Sequence, residues 1–317
     1  MTPQRVATAA IAIGLGLATA YALDRLCLAR RIYPPGFRQP WRRWLALLVL
    51  AAFLALGVFL PLAAAAVGMA IEPPNLSKIG TFQLFELHLI MLTVLGIWFL
   101  LGFAFRPVPA PLVPPITVPD ETGAPVEMLP GPPDPSPLSL GRQFLVQFGF
   151  AAPDIPREIG LGLGLGLAAW VAVLAAILAI AGVILALGGK DVVPRQPPAL
   201  IPLIAALPFA VRFAVSLSAG LVEETFFRGF LQPRVGILLS TAIFALAHLS
   251  YGQPFMLVGV TLLSLIYGLL VRWRQSIWAA IAAHALFDGI QLLVVVPAVL
   301  KLTGMGAKGA AFLRLVP

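Results

Sequence analysis

Residues 160–188 read GLGLGLGLAAWVAVLAAILAIAGVILALG, an unbroken apolar run without an ionisable side chain. A helix needs about 20 such residues to cross the hydrocarbon core of a bilayer, so this run is long enough to span one. Further apolar runs of helical length flank it: Val6–Leu23, Trp44–Ile71, Leu87–Phe105, Ala199–Leu231, Gly236–Ser250, Phe255–Val271 and Ser276–Leu300. Of the 317 residues, 60% are apolar and 11% charged, whereas a soluble domain carries roughly 25% charged residues. So little polar surface cannot coat a water-soluble particle of this size. No alternating ten-residue strand pattern recurs, which argues against a β-barrel. The predicted fold is therefore an all-α polytopic membrane protein of about eight transmembrane helices.

The chain divides by composition. Residues 1–105 hold three spans. Within them, Ala18-Thr19-Ala20 and Ala20-Tyr21-Ala22 look like signal-peptide cleavage sites. A dense basic loop from Arg25 to Arg43 follows at once, and such loops are poorly exported, so the first helix reads as retained. Residues 106–137 carry twelve prolines together with Asp120, Glu121, Glu127 and Asp134. Proline blocks helix and removes backbone donors, so this is an extended aqueous linker. Residues 138–197 combine the fourth span with Leu138–Ile159, read either as an interfacial amphipathic stretch or as a plain connector. Gly160, Gly162, Gly164 and Gly166 open that span with overlapping GxxxG spacings, which permit close helix approach. Residues 198–300 form the last unit, and 301–317 a tail.

The net charge of +8 belongs to topology rather than to nucleic acid. With the Arg30–Arg43 loop in the cytoplasm, eight spans put thirteen basic residues on that side and seven on the other, as the positive-inside rule requires. Cys27 is the single cysteine, so no intramolecular disulfide forms.

Ionisable groups inside apolar segments cost roughly 2.5–3.5 kcal/mol each on insertion scales and need a reason. Glu223, Glu224 and Arg228 lie in one such stretch, His248 ends the next, and His284 and Asp288 lie in the last. Glu224 and Arg228 are i,i+4 neighbours, spaced for a structural ion pair. Glu223 is rotated about 100° away and is freer to face something else. His284 and Asp288 share a face, as do Phe244 and His248. At about 1.5 Å per residue, Glu223, His248 and His284 lie at similar depths, roughly 15–21 Å from Arg234 or Arg274. A carboxylate and a neutral imidazole can hold a water and take its proton. A second imidazole and an acid can donate to a developing oxyanion. The same four groups, Glu223, His248, His284 and Asp288, form an alternative nitrogen and oxygen ligand set for zinc.

At these residues the sequence resembles the CPBP intramembrane proteases, which include CAAX-prenyl endopeptidases and Abi-type proteins. Glu223-Glu224 through Arg228 matches EExxxR, Phe244 through His248 matches FxxxH, and His284 through Asp288 matches HxxxN/D. The resemblance covers about Pro198 to Leu300. It implies an endopeptidase with its active site inside the helical bundle, acting on a membrane-associated or lipidated peptide or protein. Glu223 and His248 would activate water, and His284 and Asp288 would stabilise the tetrahedral intermediate. Glu224, Arg228 and Phe244 would support them. It leaves zinc or a metal-free water open, and position 288 is more often Asn in the family. It also points to the bacterial cytoplasmic membrane. The rival readings are a non-proteolytic scaffold or immunity factor and a proton-coupled transporter, although no inverted repeat is visible. His88, near Glu86, is read as an interfacial residue without function, and Arg212 as snorkelling or pairing with a carboxylate.

Overall fold

The computed structural model describes residues 2–69, 82–104, 117–119, 125–127, 139–189, 192, 203–205, 207–251 and 255–302. Most of the proline-rich linker, with its acids Asp120, Glu121 and Asp134, and the tail beyond Leu302 lie outside them. Two short linker pieces, Thr117–Pro119 and Pro125–Glu127, pair antiparallel with Val118 opposite Val126.

Among the described residues, each of the eight apolar runs holds a helix. Six of these helices are long and apolar enough to cross a membrane: α1 (Pro3–Ala29), α2 (Pro40–Ala66), α3 (Gln83–Phe103), α5 (Ile155–Ala186), α8 (Met256–Arg274) and α9 (Trp278–Leu302). A shorter helix, α4 (Leu140–Gln147), precedes α5. The two remaining runs are different. Helix α6 starts as Phe209–Ser218 and continues through π-helical Ala219–Glu223 and Thr225–Leu231 to Gln232–Val235, carrying five ionisable side chains on the way. Helix α7 (Ile237–Ala247) has 11 residues and rises only about 16 Å. Six runs thus meet the length and apolarity of a span, and the two that do not are those bearing the EExxxR and FxxxH patterns.

Local chemistry sets the helix ends. Proline occupies the first turn of α1, α2 and α5, where its missing N–H is not needed. Asp154 caps α5 by accepting from the Arg157 amide at 3.0 Å. Gly236 separates α6 from α7 with φ +87°, a conformation that β-carbon-bearing residues resist.

Helix α5 lies closely along α9. A Cβ at Gly162 would collide with the Ala279 backbone, and one at Gly166 would come within 2.7 Å of Ala283 Cα, while Gly160 and Gly164 face open space. The expected close approach therefore uses one GxxxG pair, Gly162 and Gly166, and fixes the backbone beside His284. Elsewhere large apolar side chains such as Leu167, Val171, Leu178 and Val183 stand exposed along α5, as a lipid-facing helix requires.

The N-terminal helices share a core with α6. Phe53 packs edge-on against Phe226 at 5.0 Å, and Trp98 against Phe230 at 4.9 Å. Phe148, just after α4, is fully buried against Phe144 and Phe230, so this amphipathic stretch docks onto the bundle. The loops expected on the cytoplasmic side gather at one end. Arg30 donates to the carbonyls of Pro233 and Arg234 at 3.3 and 3.2 Å. Arg274 grips Glu158 at the start of α5 through Nε at 3.1 and 3.2 Å. Between α1 and α2, Tyr33 donates to buried Asp24 at 2.6 Å, and burial first, then that bond, raises its phenol above the usual value.

Candidate active site

Glu223 and Glu224 stand where the two π-helical stretches of α6 meet. Such turns are rare and collect at functional positions. Glu224 is completely buried and serves two partners. Its Oε2 lies 3.2 Å from Nε of Arg228, which is 1% exposed, and its Oε1 accepts from His284 Nδ1 at 2.7 Å. The i,i+4 pair expected from the sequence is therefore present. Glu224 also does what its spacing did not announce, orienting a histidine from α9.

Aromatic rings and one further carboxylate hold the rest of that assembly. Tyr267 of α8 stacks on His284 at 5.2 Å and 23°. The Arg228 guanidinium sits over Phe244 at 4.5 Å and its Nη2 donates to the Ser264 carbonyl at 3.3 Å. His284 Nε2 faces Asp288 Oδ2 at 3.6 Å. Phe244 lies between the two expected histidines, 4.6 Å from the His248 ring and 6.2 Å from that of His284. At the end of α7, His248 Nδ1 donates to the Phe244 carbonyl at 2.8 Å. The neutral ring therefore has its lone pair on Nε2.

Glu223 finds a partner that the sequence reading set aside. His88, on the first turns of α3, is buried within the helical bundle. Its Nε2 lies 3.4 Å from Glu223 Oε1 and its Nδ1 lies 2.7 Å from Ser218 Oγ. A carboxylate accepts, so Nε2–H donates to Glu223 and Nδ1 accepts from the serine hydroxyl. The structure thus gives His88 two partners, Glu223 and Ser218, that its reading as an interfacial residue did not include. The rule that singled out Glu223, an ionisable group inside an apolar run, applies equally to His88. Its closeness to the start of a run obscured that, because depth is not visible before the helices pack.

All three histidines of the chain thus converge on one region. Glu223 lies within electrostatic reach of His88, His248 and His284, and Asp288 within reach of the same three and of Glu223. Glu223 Oε2 is buried and accepts from no described group. Among the described residues Arg212 forms no ion pair; its Nη1 donates to the Leu292 carbonyl of α9 at 2.9 Å.

The four residues considered for zinc do not gather as a ligand set. Among the described residues no three His, Cys, Asp or Glu side chains are grouped to hold a metal ion. Both nitrogens of His284 are already turned to carboxylates, Glu224 on one side and Asp288 on the other.

This is an integral multi-pass membrane protein with a cluster of carboxylates and imidazoles inside its helical bundle. Residues 205–290 match the family described as type II CAAX prenyl endopeptidase Rce1-like, which bears out the resemblance to CPBP proteases read from the motifs. The chain is 32% identical over 91 residues to an uncharacterised Bacillus subtilis (strain 168) protein, YpbD, a match covering 28% of this chain and 44% of that protein. The chain therefore spans less than half the length of that curated relative. No solved structure matches. His88 lies outside both the family-matched segment and the motifs.

Proposed function

We propose that this protein is an intramembrane endopeptidase of the CAAX-protease type, with Glu223 as general base. The observation that carries the reading is the state of Glu223. One oxygen is held by His88, the other is buried without a donor among the described residues, and two further imidazoles stand near. A buried carboxylate oxygen without a donor is costly, and a water satisfies it while being placed to react.

In this reading Oε2 takes a proton from the water, whose oxygen attacks the scissile carbonyl carbon. His248, with its lone pair on Nε2, assists in holding that water. The oxyanion is stabilised from the side of His284 and Asp288. Glu223 then returns its proton to the leaving amide nitrogen as the C–N bond breaks. Glu224 is a positioning residue that fixes the His284 ring, and Arg228 and Phe244 brace it. The arrangement of donors supports activation of water by Glu223 rather than by a metal ion.

The substrate class is a membrane-associated or lipidated peptide or protein, and the membrane is the bacterial cytoplasmic one, a reading for which the Bacillus relative supports the bacterial setting. The test is terminal proteomics of membranes carrying wild-type or Glu223→Gln protein. New termini seen only with the wild type identify both activity and substrate. Equal termini from a folded Glu223→Gln protein would falsify the assignment of the base.

A further inference from the structure

A cavity of about 550 Å³ opens where Arg228 and Arg234 of α6, Arg272 of α8 and Ile32, after α1, come together. Among the described residues no aspartate or glutamate lines it. Arg234 is 2% exposed; its Nη1 donates to the Phe230 carbonyl of its own helix, and its Nε has no partner among the described residues. Its guanidinium lies over the rings of Phe230 and Trp98, at 4.3 and 5.2 Å. Arg228 also lines the cavity; its Nε pairs with Glu224, and its Nη1 has no partner among the described residues. Among the described residues neither Arg234 nor Arg272 has an ion-pairing carboxylate. Arg30 adds a fourth guanidinium through its bonds to the carbonyls of residues 233 and 234.

Guanidinium groups stay charged at any physiological pH, and buried ones without a counter-charge are unstable. Cations around one cavity also repel each other. An anion with several oxygens resolves both problems, and phosphate matches the fixed N–H fork of arginine. We propose that this cavity binds the phosphate group of an anion, and that the anion is a phospholipid headgroup. Its volume exceeds what a bare phosphate fills, and its apolar wall, including Ile32 and Ile237, suits the glycerol next to a headgroup phosphate. It lies among the ends of α1, α6 and α8, level with the chain's densest arginines. The inference stands apart from the catalytic reading, since its evidence is binding.

The test uses the purified full-length protein and native mass spectrometry with added phosphatidylglycerol or phosphatidylcholine. Melting curves in inorganic phosphate form a separate arm. Wild type retains phosphatidylglycerol over phosphatidylcholine by about tenfold, and Arg234→Gln loses about tenfold of that retention, as expected for one charge-assisted contact. Arg272 is exposed and its side chain makes no described hydrogen bond, so Arg272→Gln and Arg272→Glu fold. They weaken binding progressively, and they decide the matter where Arg234→Gln proves unstable. Stabilisation by inorganic phosphate equal to that by phosphatidylglycerol, lost in the same variants, assigns the site to free phosphate and overturns the lipid. Retention unchanged in every folded variant, or no preference between the two lipids, overturns the site.

Discussion

Replacing His88 by alanine tests the least expected contact in the structure. The imidazole supplies the sole hydrogen bond described for Glu223, at 3.4 Å, and is itself held by Ser218 at 2.7 Å. With His88 removed, the carboxylate keeps its place at the joint of the π-helical turns but loses the group that fixes its rotation. A hydrogen bond to a charged group contributes about 1.5–3 kcal/mol, which corresponds to a loss of about 10- to 150-fold. If that bond sets the direction of Oε2, the loss falls on kcat and leaves KM near its wild-type value. The assay is single-turnover cleavage of a substrate identified from the proteomic comparison. His88→Gln places an amide donor within reach of Glu223 and recovers part of the rate. Ser218→Ala removes a neutral bond of about 1 kcal/mol and costs only a few-fold. A folded His88→Ala protein with wild-type kcat would refute the idea that α3 helps to position the base.

Glu224→Ala strands Arg228 in a buried site and should cost about 3–5 kcal/mol, seen as a lower melting temperature or folded yield; Glu224→Met with Arg228→Met recovers part of it but not cleavage, because His284 has lost its acceptor. Gly166→Ala drives a methyl into Ala283 and should destabilise by about 1–3 kcal/mol, whereas Gly164→Ala, facing open space, leaves melting and cleavage unchanged. Activity should survive strong chelators with less than stoichiometric zinc by elemental analysis; stoichiometric zinc lost on changing His248, His284 or Asp288 would contradict water activation by Glu223 alone. Cysteines introduced at positions 107–137 should resist impermeant thiol reagents in intact cells, and labelling from outside would reverse the orientation.

Much of the architecture was legible because lipid imposes simple requirements on a chain. Length and apolarity marked the six long helices, since helices and closed barrels alone satisfy the backbone in lipid and no barrel pattern recurs. Helical spacing identified the Glu224–Arg228 pair and the shared face of His284 and Asp288. Legibility failed where a contact joins distant helices. Nothing local to Leu87-His88-Leu89 indicates that α3 meets α6 at Ser218 and Glu223, across 130 or more positions of sequence. The second duty of Glu224 was hidden for the same reason, because an i,i+4 partner already explained it. Arg212 was opaque in another way: its described partner is a backbone carbonyl of α9, and carbonyls leave no mark in a sequence.

The placement of the site on separate helices also bears on when it can exist. Its groups enter the membrane in the order His88, Glu223, His248, His284 and Asp288, and the last two arrive on the final described helix. A nascent chain halted between α8 and α9 holds His88, Glu223, Glu224 and His248 but not the imidazole that Glu224 orients. On the proposed reading, hydrolytic competence is withheld until α9 has been made and inserted, so a copy still lacking that helix cannot damage its neighbours during insertion.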